Sequence, residues 1–470
     1  MSEQKSQNEI RIIKLKSNMD DIEQKFESNT MCMAKWLQST VYLMNGHTHS
    51  CHHPMTHIIP VSEIKKNPSA LHNTEFKMDR RLEMLNGKRP KECQYCWNVE
   101  DLPGDHISDR TYKSANLEWS YPHLQRVLDS GIGENIMPSY LEVAFENTCN
   151  LKCMYCSPEV SSKWMEEIER HGPYPTTYLN GSLDSLKAVQ KMPIPHKEHN
   201  PYVDAFWQWW PDLYQNLDTF RITGGEPLLS KHTWRVFEYI KEHPRKELNI
   251  SINTNMMVPD DLITKLINYC NEIAPLVNKI DIYTSAEAHG KQADYIRTGM
   301  NYDKFMSNCR RFLASTKANL NFMITFNALS VSTFDLFLKD IWDMRVEFNE
   351  ADAWNRVPMM INYLRWPDFQ DVRVLPTEIK DEFKERISKF MQQYTRKTSP
   401  DQRGRFYLEE VDQMERLLAY MYEPYPDYKL EEHHKNFALF YEEYEVRRKV
   451  KFLEQFPELT NFYNMCLSKR

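Results

Sequence analysis

The chain has 470 residues, 41% of them hydrophobic, enough for one large domain with additions or for two to three ordinary ones. Its net charge of −7 argues against a broad electrostatic grip on nucleic acid, and no run of about 18 apolar residues is present to cross a bilayer. The opening Met1-Ser-Glu-Gln-Lys5 has no apolar signal core, which points to the cytoplasm, where ten cysteines are expected to be reduced thiols available to metals.

Residues 1–30 are polar and charged, as in a loose helix or an unstructured arm. Residues 31–110 form a small cysteine-rich module. Within it, Cys32 and Cys51 bracket a hairpin that carries Trp36 and Tyr42 and turns at Asn45-Gly46. A short helix over 82–85, followed by Gly87, runs into Cys93-Gln-Tyr-Cys96. Four cysteines in two pairs can saturate an iron–sulfur cluster or a zinc ion. His47, His49, His52, His53 and His57 crowd the same stretch. Loop histidines are ordinarily solvated, the alternative being that one replaces a cysteine as ligand.

From 138 to 376 short apolar runs alternate with helical ones, the pattern of repeated βα units, with strands expected at 141–145, 219–223, 248–253, 279–285, 320–327 and 359–364. The first of these leads into Cys149-Asn-Leu-Lys-Cys153-Met-Tyr-Cys156. Three thiolates this close can hold one face of a cubane cluster and leave the fourth iron open. Zinc is the rival, although a structural zinc site normally needs a fourth ligand. Residues 157–218 are an insertion placed near the mouth of the strands, where it could shape a substrate pocket; its Phe206-Trp-Gln-Trp209-Trp210 is expected to bury against the core. The second strand ends in Thr223-Gly224-Gly225-Glu226-Pro227, which taken alone is an ordinary turn. Cys270 and Cys309, in helical runs at 262–271 and 302–313, and Cys466 are expected to be buried apolar residues. The tail, 377–470, is helical, with helices expected at 409–422 and 436–456, and is read as a capping or docking element.

The CxxxCxxC loop with an aromatic before its last cysteine, followed in order by Gly-Gly-Glu-Pro, resembles the radical S-adenosylmethionine (SAM) superfamily. The resemblance implies an α/β fold built on a partial (β/α)6 TIM-like barrel, with both motifs at the carboxyl ends of strands. It implies a [4Fe-4S] cluster on Cys149, Cys153 and Cys156. SAM would bind the open iron and be cleaved reductively to a 5′-deoxyadenosyl radical that takes hydrogen from a substrate. Gly224, Gly225, Glu226 and Pro227 would approach the methionine amine of SAM. Ser251, Asn253 and Asn255 would face its ribose from one side of a strand. Ser285 and Glu287 stand where the family often has Ser-x-Asp, with Glu in place of Asp. Arg297, in Ala293-Asp-Tyr-Ile-Arg297-Thr-Gly299, resembles the arginine that meets SAM's carboxylate, a helix-surface ion pair being the alternative; Asn327 is a further candidate.

Cys32-x13-Gly46-x4-Cys51 followed by the later CxxC resembles the auxiliary-cluster modules called SPASM and twitch. Those modules usually follow the core, and here the motif precedes it. The resemblance implies a second iron–sulfur cluster, with zinc as the alternative, and an oxidoreductase or transferase served by a flavodoxin- or ferredoxin-type electron donor. The substrate it implies is a peptide or protein. A small metabolite, a nucleoside or RNA is the alternative, and a non-catalytic zinc-binding adaptor is the alternative outside enzymes.

Overall fold

The computed structural model describes residues 2–104, 106–131, 133–350, 354–395 and 397–470, with side chains from residue 10 onward; Met1 and the other positions lie outside the described residues. The strands are β1 Gln38–Tyr42, β2 His47–His49, β3 His57–Ile58, β4 Tyr140–Ala144, β5 Lys152–Cys153, β6 Thr219–Thr223, β7 Asn249–Asn253, β8 Lys279–Thr284, β9 Arg297–Thr298, β10 Asn319–Phe326 and β11 Met359–Tyr363. Of these, β4, β6, β7, β8, β10 and β11 fall on the six expected runs to within one residue at each end. The fold is α/β and its longer strands pair mostly in parallel. Two compact units divide the chain, and the division runs through β7.

The first unit comprises Met1–Glu146, Pro193–Gly224 and Arg245–Ser251. Here β1 pairs in parallel with β4, and β4 with β6, so Thr40, Glu142 and Arg221 stand side by side in one row. The expected hairpin is present, with β1 antiparallel to β2 and Gly46 at φ +68° in the turn. A Cβ on Gly46 would fall 2.1 Å from the Tyr202 ring, so both the backbone and the space demand glycine. The hairpin is therefore not a separate module: β1 continues the sheet that carries the first βα strand. A strand's unpaired amides and carbonyls need partners wherever water is excluded.

Of the two forms expected for the first 30 residues, a loose helix or an unstructured arm, the structure has a helix, Ser2–Phe26, and it is packed: Met19 and Ile22 are buried with Trp36, Trp97 and Trp119. Met19, Ile22 and Phe26 recur at helical spacing on one face, which a mean composition conceals. The helix expected at 82–85 spans Glu75–Leu85, capped by the Thr74 side chain. Cys96 lies on a separate short helix, Gln94–Glu100. The tryptophans of the insertion lie on the helix Pro201–Tyr214, started by Asn200, whose side chain accepts from the Tyr202 and Val203 amides. Trp210 packs on Phe206 and Phe220 with ring centroids 5.2 and 4.8 Å away.

The second unit comprises Asn147–Met192, Gly225–Pro244 and Ile252–Arg470. In it β8, β10 and β11 form a parallel ladder linked by the helices Tyr302–Ser315 and Phe334–Phe348. Along β10 Leu320, Phe322, Ile324 and Phe326 are fully buried and alternate with less buried neighbours, the period-2 signature of a strand. Cys270, Cys309 and Cys466 are buried. The helix expected at 436–456 is broken: one helix runs Asp427–Arg448, Lys449 turns left-handed at φ +54°, and a short one follows at Phe452–Gln455. Among the described residues no helix is long and apolar enough to cross a membrane.

Trp210→Ala is expected to lower the unfolding free energy by about 3–5 kcal/mol, read from denaturant melts, because the rings around it cannot close so large a void.

Candidate functional site

Cys149, Cys153 and Cys156 are half-buried free thiols on one loop of the second unit. The loop is held from several sides. The Cys149 amide donates to Ser162 Oγ (3.1 Å), Trp164 Nε1 donates to the Cys153 carbonyl (2.7 Å), and the Cys156 amide closes a turn onto the Cys153 carbonyl (3.0 Å). Cys153 itself lies in β5, paired antiparallel with β9 so that it stands opposite Arg297.

Arg297 is 5% exposed and Glu287 1%, so the surface ion pair is excluded. Arg297 Nε and Nη2 donate to the Glu287 carboxylate (3.1 and 2.6 Å), and Nη1 lies 3.7 Å from Cys153 Sγ. Tyr155 links the two charges, donating to Glu287 Oε2 (3.1 Å) and accepting from Arg297 Nη2. Burial opposes the charge of Arg297, but Glu287, Tyr155 and Cys153 hold it well above the usual arginine range. Two residues read separately from sequence as SAM contacts are thus partners that clamp the middle cysteine. The Arg297 fork is largely occupied by Glu287, with Nη1 turned to Cys153 Sγ.

The Gly-Gly-Glu-Pro turn lies against the residues leading into Cys149. A Cβ on Gly225 would fall 2.3 Å from the Thr148 carbonyl oxygen, and the Glu226 amide donates to that same oxygen (2.7 Å). Glu226 is buried, and its two oxygens accept from the Leu228 and Asn255 amides (3.0 and 2.7 Å). Burial pushes its carboxyl up to about 7, against the pull of those amides. Asn255 lies beyond the end of β7, and its side chain donates to Asn150 Oδ1 (2.8 Å), between Cys149 and Cys153. Ser251 is buried within β7 and Asn253 half-buried at its end; Ser285 follows β8, half-buried. Asn327 is engaged in its own turn, donating to the Thr325 carbonyl and accepting from the Leu329 amide. Gly224, in the first unit, has φ +125°, with a Cβ position 2.8 Å from the Glu146 carbonyl oxygen.

Sequence reasoning missed the supports contributed by the tail. Arg448 is buried and donates to the Lys152 carbonyl and to Thr298 Oγ1, and Tyr441 donates to the Met154 sulfur (3.0 Å). A lone arginine in a charged helix gives no local signal of such a role. Tyr155 was visible as the aromatic before Cys156, but its charge-bridging position was not.

In the first unit, Cys32, Cys51, Cys93 and Cys96 line one small cavity with the apolar Ala34, Pro54 and Met84. Burial pushes the Cys93 and Cys96 thiols up to about 12, so thiolates there call for a bound metal or cationic neighbours. Lys77, 1% exposed, donates to the hydroxyls of Ser39 and Thr48 (2.7 and 3.1 Å). Burial, then Arg81 and Lys35, push its ammonium well below its usual range, and Cys51 pulls it back. The basic side chains that line the four-thiol cavity are Lys35, Arg110 and Lys113. His47 and His49 are buried, and His53 Nε2 lies 2.6 Å from Asp109 Oδ2. Among the described residues His52, His53 and Asp109 are the set of three ligand atoms within 4.8 Å of one another. No three cysteine sulfurs are that close. Tetrahedral zinc, at a Zn–S distance of about 2.3 Å, would draw its thiolates to about 3.8 Å apart, whereas thiolates on separate irons of a cubane stand wider.

Gly225→Ala is expected to displace the 147–149 backbone and to lower the iron content of the anaerobically reconstituted chain at the three-cysteine loop. Arg297→Met is expected to cost about 3–5 kcal/mol of stability in urea melts by stranding Glu287, with Glu287→Gln added to it recovering part of the loss.

No family model matches the sequence. A curated relative, the radical SAM cyclopropyl synthase TigE of Paramaledivibacter caminithermalis, is 24% identical over 223 residues, 47% of this chain and 41% of the relative. The chain thus matches less than half the length of that relative. Among solved structures, Streptococcus suis SuiB bound to S-adenosylmethionine aligns at a TM-score of 0.33 and 12% identity over 77% of this chain and 71% of that one. SuiB bound to precursor peptide SuiA aligns at 0.34 and 11% over 77% and 70%. With the three-cysteine loop and the Gly-Gly-Glu-Pro turn seated against it, the partial match to a radical SAM synthase makes this chain similar to the radical SAM superfamily.

Proposed function

We propose that this protein is a two-cluster radical SAM enzyme acting on a peptide or protein. Cys149, Cys153 and Cys156 would hold a [4Fe-4S] cluster with one open iron, and Cys32, Cys51, Cys93 and Cys96 a second, saturated one. When bound, the first cluster supplies the electron that cleaves SAM and so yields the 5′-deoxyadenosyl radical that takes hydrogen from the substrate. The observation that carries this reading is the contact of the Gly225-Glu226 backbone with the Thr148 carbonyl. It sets the turn expected to meet SAM beside the loop expected to hold the iron.

The chain's own residues would position and tune. Arg297, 3.7 Å from Cys153 Sγ, places a fixed positive charge beside the thiolate, which favours holding the reduced, more negative cluster. Glu226, tied by two backbone amides, keeps the turn in one conformation. Trp164 and Arg448 fix the carbonyls of Cys153 and Lys152. The four-cysteine site, lacking an open position, would relay electrons, with a flavodoxin- or ferredoxin-type protein as donor. The peptide or protein substrate rests on the resemblance of the amino-terminal cysteines to auxiliary-cluster modules, and is fold-level analogy.

Anaerobic reconstitution with iron and sulfide should give a brown protein that cleaves SAM to 5′-deoxyadenosine with dithionite. Cys153→Ala should abolish cleavage, while Cys93→Ala should leave it at least partly intact. Stoichiometric zinc with no cleavage would overturn the enzyme reading, and equal loss in both variants would overturn the division between the two sites.

A further inference from the structure

The first unit holds a cavity of about 580 Å³ that the cluster chemistry leaves unexplained. Its wall is one face of the parallel sheet: Gln38 stands opposite Tyr140, and one pleat further on come Thr40, Glu142 and Arg221. Trp119 and Tyr140, with ring centroids 5.4 Å apart, add an aromatic surface. The helix Ser2–Phe26 brings Arg11 and Lys14 to the rim.

One atom in this wall points to a ligand. Gln38 is 9% exposed, and its Oε1 is buried with no hydrogen-bond partner among the described residues. A buried acceptor left unpaired costs about 1–3 kcal/mol, and a ligand N–H entering the cavity would remove that cost. A glutamine amide offers one acceptor and one donor group in a plane, the complement of a peptide link. In the next row Arg221 Nε lies 3.7 Å from Glu142 Oε2, and the Arg221 side chain also meets the Tyr140 hydroxyl. The two rows are about 6.6 Å apart along the strands, which is also the spacing of alternate residues in an extended peptide. The volume is that of a ligand pocket rather than of an ordinary packing void.

The charges set the side chain preferred. Asp109 is engaged by His53 at 2.6 Å and by Lys113 at 3.6 Å, and Glu142 faces Arg221. Of the remaining charged residues that line the cavity, Arg11 and Lys14 stand against one carboxylate, Glu118, which leaves a positive excess.

We propose that this cavity binds a short extended stretch of the peptide substrate, Gln38 pairing with a main-chain amide and the Arg11–Lys14 rim drawing in an acidic side chain. The assignment rests on the substrate being a peptide or protein. Along β6, Arg221 precedes Gly224 by about 10 Å of strand, so one strand would carry both part of the cavity wall and the start of the turn expected to meet SAM.

The test uses the reconstituted full chain and three probe peptides: Ac-Ala-Glu-Ala-NHCH3, the same peptide N-methylated at its backbone amides, and Ac-Ala-Lys-Ala-NHCH3. Binding is followed by ligand-observed NMR, with SAM cleavage measured in parallel. N-methylation is expected to weaken binding about tenfold in the unaltered chain and to make no difference in Gln38→Leu. The exposed charge reversals Arg11→Glu and Lys14→Glu, made together, should invert the preference from the Glu to the Lys peptide. Equal binding of the methylated and unmethylated peptides, an unchanged preference after charge reversal, or free glutamate binding as tightly as the peptide would each overturn the proposal. No peptide binding alongside intact SAM cleavage defeats the cavity assignment alone; absent SAM cleavage defeats the enzyme reading instead.

Discussion

A guanidinium withdrawn from water must be given an anion and a full set of acceptors, or the fold that buries it is lost. Arg297 is withdrawn in this way, and what it is given decides the geometry of the cysteine loop. Glu287 comes from the segment after β8, Tyr155 from the loop itself, and the pairing of β9 with β5 sets the arginine opposite Cys153. Moving any of these leaves a charge buried and unpaired. A loop of three cysteines, with little regular structure of its own, thereby acquires one conformation.

Close approach applies the same restriction from another side. Gly225 leaves so little room beside Thr148 that no side chain could stand there, and Glu226 accepts from the Leu228 and Asn255 amides. The turn can neither drift from the loop nor rotate. The four-cysteine cavity of the first unit is also lined by buried basic side chains, Lys35 and Arg110. An iron–sulfur cluster with its thiolates is anionic, and fixed cations lower the work of burying it. Each unit thus supplies positive charge beside its thiols by its own residues.

Much of this was legible in the sequence, for identifiable reasons. Strand β6 was found at both ends because Thr219–Thr223 alternates cleanly and stops at two glycines. The hairpin turn was found because Asn45-Gly46 needs positive φ, and Gly46 has it. What escaped was long-range. Nothing local says that β1 lies parallel to β4, since register across a hundred residues leaves no period in either segment. The ladder of β5 and β9 is two residues on each side, too short for any pattern. Arg297 and Glu287 were both noticed, but their partnership was not, because each matched a role toward a ligand and sequence order does not show which charge a side chain meets first. The break at Lys449 escaped because lysine ordinarily continues a helix.

The central claim is that the three-cysteine loop presents an iron with a free coordination position. The most direct measurement is the EPR spectrum of the dithionite-reduced chain, with Cys32, Cys51, Cys93 and Cys96 replaced by alanine, recorded with and without SAM. The account predicts a single reduced [4Fe-4S] signal whose g values move when SAM is added. A signal unchanged by saturating SAM would contradict it.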